Sequence, residues 1–277
     1  MSWTVVGTGR MGSALCQWLA AAGEPPAAVV GRQEAAARQL ARRFHLSRHE
    51  ALAHWLQGLA TAAPGRMLLA VPDDALPALA EAMARARADW RGACVLHTSG
   101  ALPAAALRPL ARRHAAIGSI HPVMTLPAAG RPAPPTRGLI VSVEGAPAAR
   151  RQATALIKRW QAVALPLSAG AKSALHAAAA LVGPGAVVQM AAAQAALAGL
   201  SPRARRLAVM ALNRLLAATA SNLEDCPPGN LAPAWTGPLA RGDLGAVSRD
   251  RAHLPPGPVR QLFNAQVAAA RRLLPTK

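Results

Sequence analysis

Over the first 165 positions the hydrophobic residues fall into two alternating patterns. Short, nearly unbroken apolar runs at 3–7 (WTVVG) and 27–31 (AAVVG) read as buried strands. Each is followed by apolar positions spaced three and four apart, which predicts helices from about Met11 to Ala22 and from just after Arg32 through about Phe44. The stretch RMLLAVPDDALPALAEAMARA predicts a strand ending at Val71, a tight loop, and a helix capped by Asp73 or Asp74. GACVLHTSG gives another strand with a loop at its end, and AAIGSIHPV and RGLIVSVEG give two more. This strand–helix alternation predicts an α/β domain at 1–167, built on a doubly wound, mostly parallel sheet. From Ala169 onward only helical patterns occur, at about 170–200, 202–223 and 257–274, with the Pro/Gly-rich loop CPPGNLAPAWTGPLARGD between them. They predict an all-helical second domain at 168–277.

One helix calls for a membrane test. Residues 173–200 contain no Asp, Glu, Lys or Arg and are long enough to span a bilayer. They are mostly alanine, carry His176, Gln189 and Gln194, and include Gly-Pro-Gly at 183–185. Pro184 would interrupt the helix at mid-depth. The expectation is therefore an Ala-rich helix buried in the protein or at a subunit interface, with no membrane.

The net charge is +19 over 277 residues, from 31 Lys plus Arg against 12 Asp plus Glu. Taken alone this points to nucleic acid. But the arginines come in small groups, never in a long run, and aromatic residues make up only 3%, so stacking platforms are scarce. The expected partner is a small anionic ligand. Cys16, Cys94 and Cys226 are widely separated, which fits a reducing cytoplasm and argues against a disulfide or zinc framework. The opening residues MSWTVVGTG show no signal-peptide pattern.

The segment GTGRMG holds Gly7, Gly9 and Gly12 in the spacing G-x-G-x-x-G, between a predicted strand and a predicted helix. In that context the pattern predicts a dinucleotide site formed by Gly7, Thr8, Gly9, Arg10, Met11 and Gly12. Gly7 permits the turn, Gly9 lets the backbone approach a pyrophosphate, and Gly12 lets helix and strand pack closely. A site for NAD usually places Asp or Glu at the end of the second strand. Here Gly31 and Arg32 stand there, and an arginine suits the 2′-phosphate of NADP(H).

Other chemistries fall away. The chain has no tyrosine, so a Tyr-x-x-x-Lys acid is impossible, and it lacks H-E-x-x-H, G-x-S-x-G and the P-loop pattern. A proton donor must come from His, Lys, Asp, Glu, Ser or Thr.

Together with AVPDDAL at 70–76, the stretches HTSG at 97–100, GSIHPV at 118–123, LHAAA at 175–179 and WTGPLARGD at 235–243 complete a recognisable order. The chain resembles a bacterial family of uncharacterised NADP oxidoreductases with a Rossmann-like N-terminal domain and a helical C-terminal domain. That family is similar to pyrroline-5-carboxylate reductase, the 6-phosphogluconate and 3-hydroxyacid dehydrogenases, and F420-dependent NADP reductase. The resemblance spans nearly the whole chain and implies fold, cofactor and a homodimer through the helical domains, but no substrate. Leu175 stands where the family has Tyr beside its His, and Gly183-Pro184 where it has Ser-Asn. Lys172 could stand in for a substrate-contacting Lys of the 3-hydroxyacid dehydrogenases, without the Asn that accompanies it.

The candidate catalytic groups are His176, Lys172 and His121. Lys172 and His176 are four apart on a helix and share a face. A His and a Lys facing the nicotinamide could donate a proton as hydride arrives. His121, before Pro122, sits at a strand end, where such sheets bind ligands. Thr98 and Ser99 could contact the nicotinamide ribose or cap the next helix, and the backbone at Val71 and Pro72 could line the cofactor. Arg241 and Asp243 either bind substrate or pair with each other, and Trp235 packs. The expected function is an NADP(H)-dependent oxidoreductase moving hydride to or from a small carbonyl, imine or hydroxy compound in the interdomain cleft. The competing expectation is a non-catalytic NADP-binding sensor or scaffold that kept the glycine loop and lost the acid.

Overall fold

The computed structural model describes residues 2–61, 65–128 and 131–274. Eight strands form one sheet: β1 (Trp3–Val6), β2 (Ala28–Gly31), β3 (His49–Ala51), β4 (Arg66–Leu69), β5 (Cys94–His97), β6 (Ala116–Pro122), β7 (Ile140–Gly145) and β8 (Val163–Pro166). Their order is β3-β2-β1-β4-β5-β6-β7-β8. Every pairing from β3 to β6 is parallel, β7 is antiparallel to β6, and β8 is parallel to β7. The chain winds outward from β1 to β3, then restarts on the other side of β1 with β4. This is the doubly wound Rossmann-like α/β fold, with its topological switch between β1 and β4.

Helices cover both faces, which explains the unbroken apolar runs: β1, β2 and β5 are buried at every position. Along β1 the side chains alternate. Trp3 and Val5 pack with α1 (Arg10–Ala21), α2 (Glu34–Arg43) and α6 (Pro147–Arg159), while Val6 packs with α3 (Leu52–Gly58), α4 (Leu76–Ala86) and α5 (Arg108–Ala111). Each such large apolar side chain, fully buried, stabilises the fold by about 1.5–3 kcal/mol.

The helices that follow the sheet are α7 (Ala169–Ala196), α8 (Pro202–Glu224), α9 (Leu244–His253) and α10 (Pro258–Leu273). Contacts divide the chain into two compact units, Met1–Ala180 and Leu181–Lys277, so the first turns of α7 belong with the sheet. Lys172 and His176 lie in those turns.

Several expectations are corrected. α7 forms over Ala169–Ala196, close to the expected 170–200, and runs unbroken through the Pro184 expected to interrupt it. Pro184 lacks the amide that would bond the carbonyl four residues earlier, and the hydrogen bonds on either side carry the helix across it. Nor is α7 buried within its own chain: Leu181, Val182, Val187 and Val188 are 57–77% exposed. By length and composition it could cross a membrane, with a mean hydropathy of 1.4. Asp73 and Asp74 do not cap by side chain; they form a short 3-10 turn begun by Pro72, and α4 follows with no side-chain cap. β4 ends at Leu69, short of Val71. The periodic reading missed β3, β8, α3, α6 and α9. β3 spans three half-buried residues and β8 four residues with none fully buried, too little apolar signal to register.

Candidate active site

Because the strands from β3 to β6 are parallel, their carboxyl ends line one edge of the sheet. The glycine loop follows β1, Arg32 follows β2, Ala70–Pro72 follows β4, Thr98–Leu102 follows β5, and His121 lies near the end of β6. Backbone bonds stitch these ends together. The amide of Gly7 donates to the Val30 carbonyl at 2.8 Å, that of Ala70 to Val6 at 2.7 Å, and that of Thr98 to Leu69 at 3.1 Å.

The three glycines have separable reasons. Gly7 has φ +119°, and a Cβ there would lie 2.1 Å from the Ala70 carbonyl oxygen. A Cβ on Gly12 would lie 1.9 Å from the Gly7 carbonyl oxygen. Both are required by the protein's own packing. Gly9 is different: among the described residues nothing lies within 4 Å of a Cβ built there. It caps α1 with no side-chain hydrogen bond, and the first turn carries no acidic residue. The helix therefore presents uncapped amides and its positive end to open space, the arrangement that receives a pyrophosphate. Arg10 and Arg43 line a cleft of about 410 Å³ beside Gly9 and Ser13. Thr8 turns its methyl back to within 2.9 Å of the Cβ position of Gly31. Met11 packs against the core.

At the end of β2, Arg32 is exposed. The carboxylate closest in the chain, Glu34, accepts from the Arg38 guanidinium at 2.6 Å. No other acid stands at the position that an NAD site uses, so the residues present fit a 2′-phosphate better than a free 2′-hydroxyl.

The segment after β5 is held by side chains. Lys172, 1% exposed, donates from Nζ to the Ser99 carbonyl at 2.7 Å and also to the Leu102 carbonyl. The Leu102 amide donates to Ser99 Oγ at 2.9 Å. The Ala104 amide donates to Glu144 Oε2 at 2.5 Å, and His97 Nε2 donates to the Pro103 carbonyl at 3.2 Å. Burial pushes the Lys172 ammonium down to about 8, with Glu144 and Asp73 opposing. Burial, reinforced by the Lys172 charge, pushes His97 down to about 3 and keeps it neutral. Its Nδ1 and the Oγ of Ser119, its neighbour in the β5–β6 register, are both buried without a partner among the described residues.

On this segment sits Gly100, and two imidazoles meet over it. A Cβ there would lie 2.3 Å from His176 Nδ1 and 2.8 Å from His121 Nε2. The ring centroids are 5.6 Å apart with the planes at 78°. His121 Nδ1 donates to the Thr98 carbonyl at 3.2 Å. Burial chiefly holds His121 below the ordinary histidine value.

The structure thus brings His121, His176 and Lys172 to one place, together with Thr98 and Ser99. Lys172 is spent on two carbonyls and anchors the segment. Thr98 and Ser99 are buried, and Ser99 Oγ closes a turn by accepting from the Leu102 amide instead of capping the helical turn that follows, which Pro103 begins without a side-chain cap. In the second unit, Asp243 caps α9 by accepting from the Ala246 amide at 2.8 Å. No Arg241–Asp243 ion pair forms among the described residues, because the cap takes the carboxylate. Sequence reasoning missed Gly100, His97 and Glu144. The HTSG stretch pointed at the first two, but only the strand register aligns His97, Ser119 and Glu144 across β5, β6 and β7.

Residues 1–122 match the Rossmann-like domain, and residues 139–270 match a domain of unknown function, DUF2520. The chain joins a Rossmann-like domain to a DUF2520 domain. Three solved structures share this fold over almost the full length. The "putative NADP oxidoreductase BF3122" of Bacteroides fragilis is 18% identical, with 98% of each chain covered and a TM-score of 0.76. Protein TM1727 of Thermotoga maritima is 18% identical, covering 98% of this chain and 97% of its own, with a TM-score of 0.68. The imine reductase of Myxococcus stipitatus, solved with NADP+, is 17% identical, covering 98% and 94%, with a TM-score of 0.62. No curated protein matches the sequence. At these identities the Rossmann-like/DUF2520 chain shares a fold with NAD(P)-dependent dehydrogenases and reductases.

Proposed function

We propose that this Rossmann-like/DUF2520 protein is an NADP(H)-dependent oxidoreductase that moves hydride between the nicotinamide and a small carbonyl, imine or hydroxy compound. The observation that carries this reading is the contrast within the glycine loop: Gly7 and Gly12 are filled by the protein, while Gly9 faces open space at an uncapped helix end. A structural turn explains the first two glycines but not the third. The loop from Gly7 to Gly12 and the α1 amides would hold the pyrophosphate, and Arg32 the 2′-phosphate. Val71, Pro72, Thr98 and Ser99 follow neighbouring strand ends and would line the nicotinamide half. The bound dinucleotide would supply the hydride chemistry; the protein's work is orientation and handling of the proton. His121 and His176 are the groups placed for the proton, and Lys172 holds the segment on which they meet.

The deciding experiment is a parallel fluorescence titration of the full chain with NADPH and NADH, read through the tryptophans and the reduced nicotinamide. Micromolar binding with NADPH well ahead supports the reading. No binding of either removes it.

The same reading places the protein in the cytoplasm, in keeping with its three free cysteines. It also makes the helical unit a homodimer surface, which would cover the exposed Leu181, Val182, Val187 and Val188. The scaffold reading is favoured by Leu175, Gly183 and Pro184 at positions where the resembled family carries polar groups. Steady turnover of any carbonyl or imine with NADPH eliminates it.

A further inference from the structure

The bond from His121 to Thr98 fixes more than a ring orientation. A carbonyl oxygen can only accept, so Nδ1 of His121 carries the proton. In the neutral ring Nε2 is then a lone pair with no hydrogen of its own. No hydrogen bond is made to that nitrogen among the described residues, and His121 is only partly buried. It lies over Gly100, 2.8 Å from where a Cβ would stand, and His176 Nδ1 shares that space at 2.3 Å, so the missing side chain is what lets the two rings meet.

Four groups set the charge on this ring. The Thr98 carbonyl, from the segment after β5, favours the cation. Asp73, from the turn after β4, favours it weakly. His176 and Lys172, from α7, oppose it, as does burial, which is the largest effect. On the sheet side, the Ser142 hydroxyl of β7 donates to the His121 carbonyl at 3.5 Å and leaves the ring untouched.

We infer that His121 acts as a base through Nε2, and that the substrate arrives carrying an O–H or N–H: a small alcohol or amine that is oxidised to a carbonyl or imine. The inference rests on the oxidoreductase reading above and adds its direction. In the oxidation, the hydrogen on the substrate carbon leaves with its electron pair to an oxidised nicotinamide dinucleotide. The O–H or N–H proton passes to His121 Nε2, and the C=O or C=N double bond forms from the electrons left behind. His121 becomes the imidazolium and returns its proton to solvent. A group neutral at pH 7 with an unbonded ring nitrogen is in the protonation state that takes a proton.

The test uses the full chain labelled with 15N-histidine, with His121→Gln to assign the signals. Two-bond nitrogen–proton correlation at pH 7 should show His121 neutral, protonated at Nδ1 and bare at Nε2, titrating below the ordinary histidine value of about 6.5. A proton on Nε2 at pH 7, in either the cation or the other tautomer, overturns the inference. NADPH titrated into the same sample separates the two failures. If NADPH binds and the tautomer is wrong, only the direction falls; if NADPH does not bind, the oxidoreductase reading falls whatever the tautomer. With NADP+ and a panel of short hydroxy acids, secondary alcohols and amines, kcat/KM should rise with pH through the value found for His121. A kcat/KM that falls over that range overturns the base role.

Discussion

Replacing each loop glycine by alanine separates what the protein needs from what a ligand needs. Gly7→Ala forces φ +119° on a residue with a Cβ, which costs about 1–2 kcal/mol. It also drives that Cβ to within 2.1 Å of the Ala70 carbonyl oxygen, so the ends of β1 and β4 must part. Overpacking of this kind costs about 1–3 kcal/mol more. Gly12→Ala meets the Gly7 carbonyl oxygen at 1.9 Å and is comparable. At roughly 2–4 °C per kcal/mol, both variants should melt on the order of 10 °C lower, if they fold at all.

Gly9→Ala meets nothing. Its φ of −72° and ψ of −168° suit alanine. Alanine is the poorer N-cap by up to about 1 kcal/mol, and it stiffens the unfolded chain by about 0.4–1 kcal/mol in the opposite direction. The two nearly cancel, so Tm should move by no more than about 2 °C. If a pyrophosphate approaches the Gly9 backbone, the new methyl stands in its path, and NADPH affinity should fall by about tenfold to a hundredfold, or 1.4–2.8 kcal/mol. Differential scanning fluorimetry and the fluorescence titration read the two effects separately. Unchanged NADPH affinity in Gly9→Ala would refute the argument, because the open space would then serve no dinucleotide.

Arg32→Asp should weaken NADPH binding much more than NADH binding; equal loss in the two titrations removes Arg32 from the 2′-phosphate. Lowering the pH should expose His97. Its folded-state value of about 3 lies below the ordinary 6.5, so the unfolded chain binds the extra proton, and stability is lost as pH falls from about 6.5 toward 3. In urea titrations across that range, His97→Asn should lose less stability than the parent; parallel losses would show that another group dominates. Burial pushes the thiols of Cys16 and Cys94 up to about 12 and about 11, whereas Cys226 is only half-buried. A thiol reagent at pH 8 should therefore titrate one cysteine quickly in the native protein and all three after denaturation. Rapid reaction of two or more would mean that the sheet opens far more readily than its packing implies.

The parts of this fold that were legible in the sequence are those with strong local physics. β1, β2 and β5 announce themselves because burial on both faces demands unbroken apolar runs, and the glycine loop because its G-x-G-x-x-G spacing stands between a strand and a helix, with Gly7 and Gly12 excluding a side chain. Lys172 and His176 could be placed on one helix face by spacing alone. The roles of the charged residues were less accessible. Asp243 carries the mark of both a cap and an ion-pair partner, and it is the fold of the α9 N-terminus that decides for the cap. Lys172 reads as an acid by its type, yet burial against two carbonyls makes it an anchor. Gly100 looked like part of a turn after a strand. Its need for no side chain comes from His121, on another strand, and His176, on a distant helix, so no local pattern could reveal it.

That convergence bears on whether the protein turns anything over. A sensor that kept its dinucleotide loop and lost its chemistry needs Gly7, Gly9 and Gly12. It has no need for a glycine at 100, for two imidazoles meeting there, or for a buried lysine and histidine anchoring the segment beneath them. Each of these carries a cost. Lys172 and His97 are buried ionisable groups, and Nδ1 of His97, Oγ of Ser119 and Nδ1 of His176 go without partners among the described residues. Unpaired buried polar atoms cost about 1–3 kcal/mol each, a large fraction of a typical net stability of about 5–15 kcal/mol. Costs of that size cluster where a site is being shaped. The strand end after β5 is where they gather in this chain. The departure at Leu175 stands beside His176 on α7, and the pair over Gly100 is intact.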